Sequence, residues 1–504
     1  MYDDTSPIAS PHPELTNAER NVHDPVLLYN GILKGRWLNG ESIAAGYQGT
    51  PEAIAELAGK LSKGVEGDSE VRLALSPSPH ISWIFSTDEW PIQAGWPVPV
   101  PPKKISSAFA TRMGTVATPD SLTRKKMATG TSRIMSPIQI GASDKSLDEV
   151  RFYLVNFQIL QLVDSVRRGE DTDVMARLSL SQNEWRIVVE SLPNLEFTKA
   201  IHYLEEQRGY AITHICRIWR EDSKGIHSTF TFEEVESVLE AMQLFASFVR
   251  GGMVGVALPV GFRNGISEFE QWSVTSTDPG RYPEPHRDRP FPGWYLWYDH
   301  PPFERRAAKW LQPLFGQFAA KWWQADTRFE KLWRHVFREL ILTYTDAERM
   351  DQTRAIVPAC TALETLGWAI LVEKENWLTG NRPPDGGESG YDSLTAADRL
   401  RLLLRWAGLP TEVPASLPKL RKKVQGRDNW DGPQIVTWVR NRVVHPDRRD
   451  QLENGMAREA WLLAMWYTEL VILKLLSYDG YFRDRLDAEE IRRVPWVTAA
   501  TDSG

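Results

Sequence analysis

The segment Arg440-Asn441-Arg442-Val443-Val444-His445 gathers an imidazole, an amide and two guanidinium groups within one short stretch. An imidazole that titrates near neutrality can take the proton of a ribose 2′-hydroxyl. A guanidinium offers a planar fork of donors where charge accumulates on a phosphorane. Together these are the parts of a ribonuclease that works without a metal, with His445 as general base and Arg440 as donor to the transition state. Asn441 precedes His445 by four residues, so on a helix both share a face, and the amide can orient the imidazole or hold a phosphate oxygen. Arg440 and His445 point about 140° apart on a regular helix. Because Pro446 disfavours helical geometry for His445, either the turn opens there or a second copy of the chain completes the site across a two-fold axis. A competing reading makes Arg440 and His445 mere caps of a helix C-terminus, where cations favour the dipole.

The Arg-to-His interval by itself is a poor signal. It recurs at Arg208 and His214, Arg220 and His227, Arg281 and His286, and Arg328 and His335. Only the Arg440 pair has Asn beside its Arg and lies on the penultimate helix of a helical region. Basic residues also gather around it: Lys419, Arg421, Lys422, Lys423, Arg427, Arg440, Arg442, Arg448 and Arg449 stand against Asp428, Asp431, Asp447 and Asp450. Such an excess suits phosphate binding, and Lys422, Lys423, Arg442 and Arg448 are the candidate RNA contacts, although a solvated surface is the commoner meaning of a lysine run. Glu364, on a helix among Leu363, Leu366 and Ile370, is either a buried partner for an arginine or a supporting residue of the site. His286-Arg287-Asp288 echoes a kinase catalytic loop but lacks the following Asn and any glycine-rich loop. No metal-ligand cluster stands out, and no cofactor is expected.

These residues need elements to hold them. At 504 residues the chain exceeds one ordinary core, and two or three domains are expected. Short β-type runs dominate residues 31–275, the clearest at 71–75, 81–86, 150–158, 185–190, 210–219 and 254–259. One helix there is announced by a capping box, Thr231 with Glu234, followed by Val235, Leu239, Met242, Ala246 and Val249 at helical spacing. After a proline-rich stretch at 279–302 the period turns helical: 304–323, 327–343, 354–373, 394–407, 434–445 and 456–477. A long loop is expected at 379–393. The basic stretch 103–133 reads as a solvated loop.

The net charge of −7 argues against a protein that coats nucleic acid indiscriminately, since such affinity comes from neutralised phosphates. Cys216 and Cys360, far apart in sequence, make neither a disulfide framework nor a zinc site, so a reducing, cytoplasmic setting is expected. Residues 1–25 are polar and acidic with no secretion signal. The most apolar run, 460–476, is broken by Glu469 and Lys474 and reads as a buried helix, so no membrane association is expected.

With these residues in view, residues 355–486 resemble the Apea-like HEPN family. The resemblance rests on Ala362-Leu363-Glu364-Thr365-Leu366, on 398–406, on Val439-Arg440-Asn441-Arg442-Val443-Val444-His445-Pro446, and on Leu476-Ser477-Tyr478-Asp479-Gly480-Tyr481. It implies an Arg-Asn-x-x-x-His ribonuclease motif, a homodimer completing the site, and a role in bacterial defence or as a toxin. The resulting expectation is an α+β multidomain chain: a flexible tail at 1–30, a β-rich mixed recognition or regulatory domain at 31–302, connecting helices at 303–345, an all-α HEPN bundle at 346–490 and a tail at 491–504. The function expected is a metal-independent endoribonuclease whose N-terminal domain senses an unknown trigger. The alternative is a non-catalytic dimerisation and ligand-sensing protein.

Overall fold

The structure is a computed structural model. It describes strand segments up to residue 141, then residues 142–155, 157, 166–168, 172–174, 177–191, 212–222, 224–272, 307–323, 328–349, 353–380, 390–445, 452–487 and 491–497. The fold is mixed α/β, with antiparallel sheet and several helices. Its contacts divide into two units, 1–159 with 189–239 and 255–288, and 160–188 with 240–254 and 289–504.

In the first unit, β1 (Arg36–Leu38), β2 (Glu41–Ile43), β3 (Ser69–Ala74), β4 (His80–Thr87), β5 (Phe109–Arg112) and β6 (Lys126–Ile134) form an antiparallel sheet in the order β2-β1-β3-β4-β6-β5. Strands β5 and β6 fall in the stretch read from sequence as a solvated loop. Its Thr111, Arg112, Thr131 and Ser132 are β-compatible residues that a charge count overlooks.

A second antiparallel run in this unit joins β7 (Ile138–Gly141), β8 (Glu149–Val155), β13 (Ile212–Glu221), β15 (Gly255–Arg263) and β16 (Ile266–Trp272), with β14 (His227–Ser228) against β13. Phe152 faces Cys216 in register, and Phe152, Leu154, Cys216 and Val256 are buried, as alternating apolar residues on one sheet face require. Helix α1 (Phe232–Arg250) starts as its capping box dictates. The Thr231 amide donates to Glu234 Oε2 at 2.7 Å and the Glu234 amide to Thr231 Oγ1 at 3.3 Å.

The second unit contains β9 (Val166–Arg168) paired with β10 (Thr172–Val174), and β11 (Arg177–Gln182) and β12 (Trp185–Ser191) flanking Asn183, whose φ of 51° supplies the left-handed turn. Its helices are α2 (Ala307–Trp323), α3 (Arg328–Arg349), α4 (Ile356–Trp368), α5 (Ala396–Ala407), α6 (Pro418–Val424), α7 (Gly432–Val444) and α8 (Met456–Leu475). Beyond Trp368, α4 widens into a π turn, Ala369–Lys374, with the Glu375 amide donating to the Ile370 carbonyl at 2.9 Å.

Helix α8 is buried over most of its length, which its sequence period of apolar residues on every side demands. Glu469, the acid that interrupts it, is 1% exposed and accepts from Tyr344 Oη at 2.7 Å and Arg485 Nε at 3.0 Å. Removing one member of such a buried pair costs about 3–5 kcal/mol. By length and composition Ile356–Lys374 is apolar enough to cross a membrane, and 56% of that window is buried in the fold.

An all-α C-terminal part is not what the structure shows. Strands β17 (Tyr481–Arg483) and β18 (Ile491–Arg493) form an antiparallel hairpin after α8, with Phe482 and Val494 buried. Three-residue strands carry too little periodicity to announce themselves. Strand β18 falls in the segment read from sequence as a C-terminal tail.

Candidate functional site

Helix α7 carries the motif, and its first turn is tightly specified. Asp431 caps it, accepting from the Gln434 amide at 2.9 Å, and Pro433 occupies the opening turn where no amide donor is required. The same carboxylate receives Arg401 of α5 in a bidentate pair, Nε to Oδ2 at 2.7 Å and Nη2 to Oδ1 at 3.0 Å. Gly432 is obligatory, because a Cβ there would lie 2.2 Å from Tyr467 Oη and 2.9 Å from the Thr411 carbonyl. Ile435, Val436, Val439 and Val443 then bury one face.

At the other end the helix stops at Val444. His445 takes φ −97° and ψ 107°, an extended conformation, while its amide still donates to the Asn441 carbonyl at 3.1 Å. Of the two ways to relieve the Arg440 to His445 angle, opening of the turn is therefore present within one chain, and Pro446 explains it. Among the described residues the exposed imidazole has no hydrogen-bond partner.

Trp438, Asn441 and Arg442 fall within about 100° of one another around the axis, on the side away from the buried valines. Arg440 lies on the flank toward α4. Its Nη1 donates to Asn441 Oδ1 at 3.2 Å, while its Nε is buried without a hydrogen-bond partner. The guanidinium acts on Cys360: burial pushes that thiol up to about 12, Glu364 adds to the rise, and Arg440 opposes it. Cys360 is thus protonated and unreactive at neutral pH.

Glu364 lines a crevice with Cys360, Leu363, Tyr391, Arg399 and Thr437. Its backbone carbonyl accepts from Tyr391 Oη at 3.1 Å, and Arg399 lies 4.5 Å over the Tyr391 ring. The structure brings Glu364 and Arg440 to the same thiol, on the flank of α7 toward α4.

Two candidate RNA contacts, Lys423 and Arg442, meet at one aromatic ring. Lys423 Nζ lies 4.8 Å and Arg442 Cζ 3.5 Å from the centroid of Trp438. Trp430 tilts against Trp438 at 5.6 Å, and Arg427 covers Trp430 at 4.2 Å. Lys422 is exposed on α6, and Arg448 lies outside the described residues. Sequence reasoning missed Trp430 and Trp438, whose signal was the interleaving of aromatics with the basic run. Among the described residues no group of His, Cys, Asp or Glu is placed to hold a metal ion.

With this geometry in hand, the family assignment needs correcting. Residues 142–283 match the model of the YopA central domain and residues 330–495 that of the YopA C-terminal domain. No HEPN family is indicated, so the expected membership in the Apea-like HEPN family is overturned. The short motif around Arg440 that suggested it is confined to one helix end, whereas the C-terminal match spans α3 to β18. The chain is 27% identical over 378 residues, 73% of its own length and 76% of the relative's, to the SPbeta prophage-derived uncharacterized protein YopA of Bacillus subtilis (strain 168). No solved structure matches.

Proposed function

We propose that the C-terminal unit is an endoribonuclease that needs no metal, with the exposed end of α7 as its reactive site. The observation that carries this reading is the departure of His445 from the helix: its imidazole is exposed directly after the last turn, which carries Asn441 and Arg442. His445 takes the proton of the 2′-hydroxyl, whose oxygen attacks the adjacent phosphorus, and solvent protonates the departing 5′-oxygen. Arg440 is a positioning residue in this scheme. By holding Asn441 Oδ1 it turns the amide nitrogen outward as a donor to a phosphate oxygen. Arg442, Lys422, Lys423 and Arg448 supply positive charge to the strand, and Glu364 supports Arg440 through the Cys360 side of the helix.

The chain as a whole acts as a cytoplasmic two-domain effector, β-rich at 31–302 and helical at 346–490. The first domain responds to a trigger and modulates the rate of the second without silencing it, because so large a partner exceeds what a small ribonuclease needs for its substrate. A homodimer through the helical domain places two such sites in one particle. Likeness to a prophage-derived protein suits an effector in conflict between phage and host.

Purified full-length protein incubated with total RNA in excess chelator should leave fragments ending in 2′,3′-cyclic phosphate, and a 2′-deoxy substitution at the scissile nucleotide should abolish the cut. Cleavage that persisted at the deoxy position, or that disappeared with chelator, would overturn the mechanism.

A further inference from the structure

We infer that Trp438 and Trp430, with the cations stacked on them, form a platform for unpaired bases, so that the substrate class is single-stranded rather than duplex RNA; this rests on the ribonuclease reading above. Both rings are half-buried and lie against each other at 5.6 Å. Every base offers a π face that stacks on an indole, and a guanidinium plane offers a second such surface. Arg442 lies over Trp438 with its Cζ 3.5 Å from the ring centroid, close enough to extend that stack.

Charge points to the same partner. Lys423, Arg427 and Arg442 all lie on tryptophan rings here. The described stretch 418–445 holds seven basic residues (Lys419, Arg421, Lys422, Lys423, Arg427, Arg440, Arg442) and two acids (Asp428, Asp431), in a chain whose net charge is −7. A cation resting on a ring can swing to a phosphate as a base takes its place, so the site exchanges partners without stranding a charge.

Position fits as well. His445 follows Trp438 by seven residues, a span of about 10 Å along the helix axis. A base on Trp438 therefore sets a phosphate one or two nucleotides along the strand at the imidazole. Beside Trp430 an open crevice lined by Asn429, Asp428 and Gln434 offers amide and carboxylate groups to base edges. A paired base in a duplex has neither face nor edge free for these contacts.

The test uses full-length His445→Ala, so that RNA stays intact, and the fluorescence anisotropy of a labelled RNA 12-mer, once unpaired and once locked in a hairpin. The unpaired form should bind at least tenfold more tightly. Adding Trp438→Ala should weaken it about 5- to 150-fold, the range of one lost stacking contact, and Trp438→Phe should restore most of the loss. Equal affinity for the two RNAs, or unchanged affinity in a folded Trp438→Ala protein, overturns the platform. Should Trp438→Ala unfold, the surface charge reversal of Lys423 and Arg427 to Glu decides: unchanged binding overturns the inference, and loss of binding with a native melting curve supports it. Intact RNA after incubation with the wild type, alongside Trp438-dependent binding, would remove the nuclease and leave the platform standing.

Discussion

The two ends of α7 are built on opposite plans. At the first turn Asp431 caps the helix, clamps Arg401 and sits beside a glycine that admits Tyr467 against the backbone. At the last turn the backbone opens, and His445 stands exposed with no described side-chain partner. A helix needs both ends satisfied, and here the first turn is tied through its cap to a second helix while the last turn runs out into an extended, exposed residue. The difference teaches which substitutions should be felt as stability and which as activity.

The comparison breaks most sharply at His445. Replacing it with Ala should lower RNA cleavage by about 10² to 10⁴ while the melting temperature stays near wild type. Lowered melting with unchanged cleavage per folded molecule would instead make His445 a helix cap and end the nuclease proposal. At the opposite end, Asp431→Ala removes a cap and the two oxygens that receive Arg401 Nε and Nη2, leaving Asp398 as its remaining partner, so it should cost about 2–3 kcal/mol of stability, seen as a lower denaturant midpoint. Residual cleavage of the folded fraction should be close to wild type; a loss as large as that from His445→Ala would mean the two ends are not separate in function.

Arg440→Lys sits between these extremes. It keeps the charge but not the fork that holds Asn441, and about a tenfold drop in cleavage is expected, with RNA affinity little changed. Affinity falling in step with cleavage would place the guanidinium on the substrate itself.

A second histidine sharpens the contrast at a smaller scale. His214 of the first unit is fully buried, with Phe157 5.2 Å from its ring, and burial lowers its pKa from 6.5 to about 3. Between those values the unfolded chain takes up a proton that the folded one refuses. The stability His214 contributes is therefore complete above pH 6.5 and declines as pH falls toward 3, by at most about 1.4 kcal/mol per pH unit. Thermal melts at pH 7.5 and 5.5 should show a steeper acid loss for wild type than for His214→Gln. Parallel losses would mean that another group governs the acid slope.

Much of this was legible in residue patterns. The capping box at Thr231, the alternating strands around Phe152 and Cys216, and the long apolar helix from Met456 all appear within a few residues of where period and capping place them. Helix α6 escaped because seven residues with one buried apolar side chain, Leu420, carry no period. The hairpin after α8 escaped for the same reason. In the site, the placement of Asn441 and Arg442 on the last turn followed from helical spacing, and Pro446 offered the opened turn as one of two alternatives, the other being completion by a second copy. What spacing could not supply was the direction of Arg440: its flank is chosen by Cys360 and Glu364, which come from a helix some eighty residues earlier. The tryptophan platform was hidden because stacking between α6, Trp430 and α7 depends on tertiary placement.

The widened turn at Ala369–Lys374 amounts to one surplus residue in an otherwise regular helix wall. Excising a single residue there would let the wall close into ordinary α geometry and would rotate everything after it by about 100°. Glu375 would then swing away from Trp406 Nε1, to which it is joined at 3.0 Å, and Lys374 from the indole face it covers at 5.5 Å. The surplus residue thus works as a register key: Lys374 and Glu375 meet Trp406 only while the count of residues in that turn is kept.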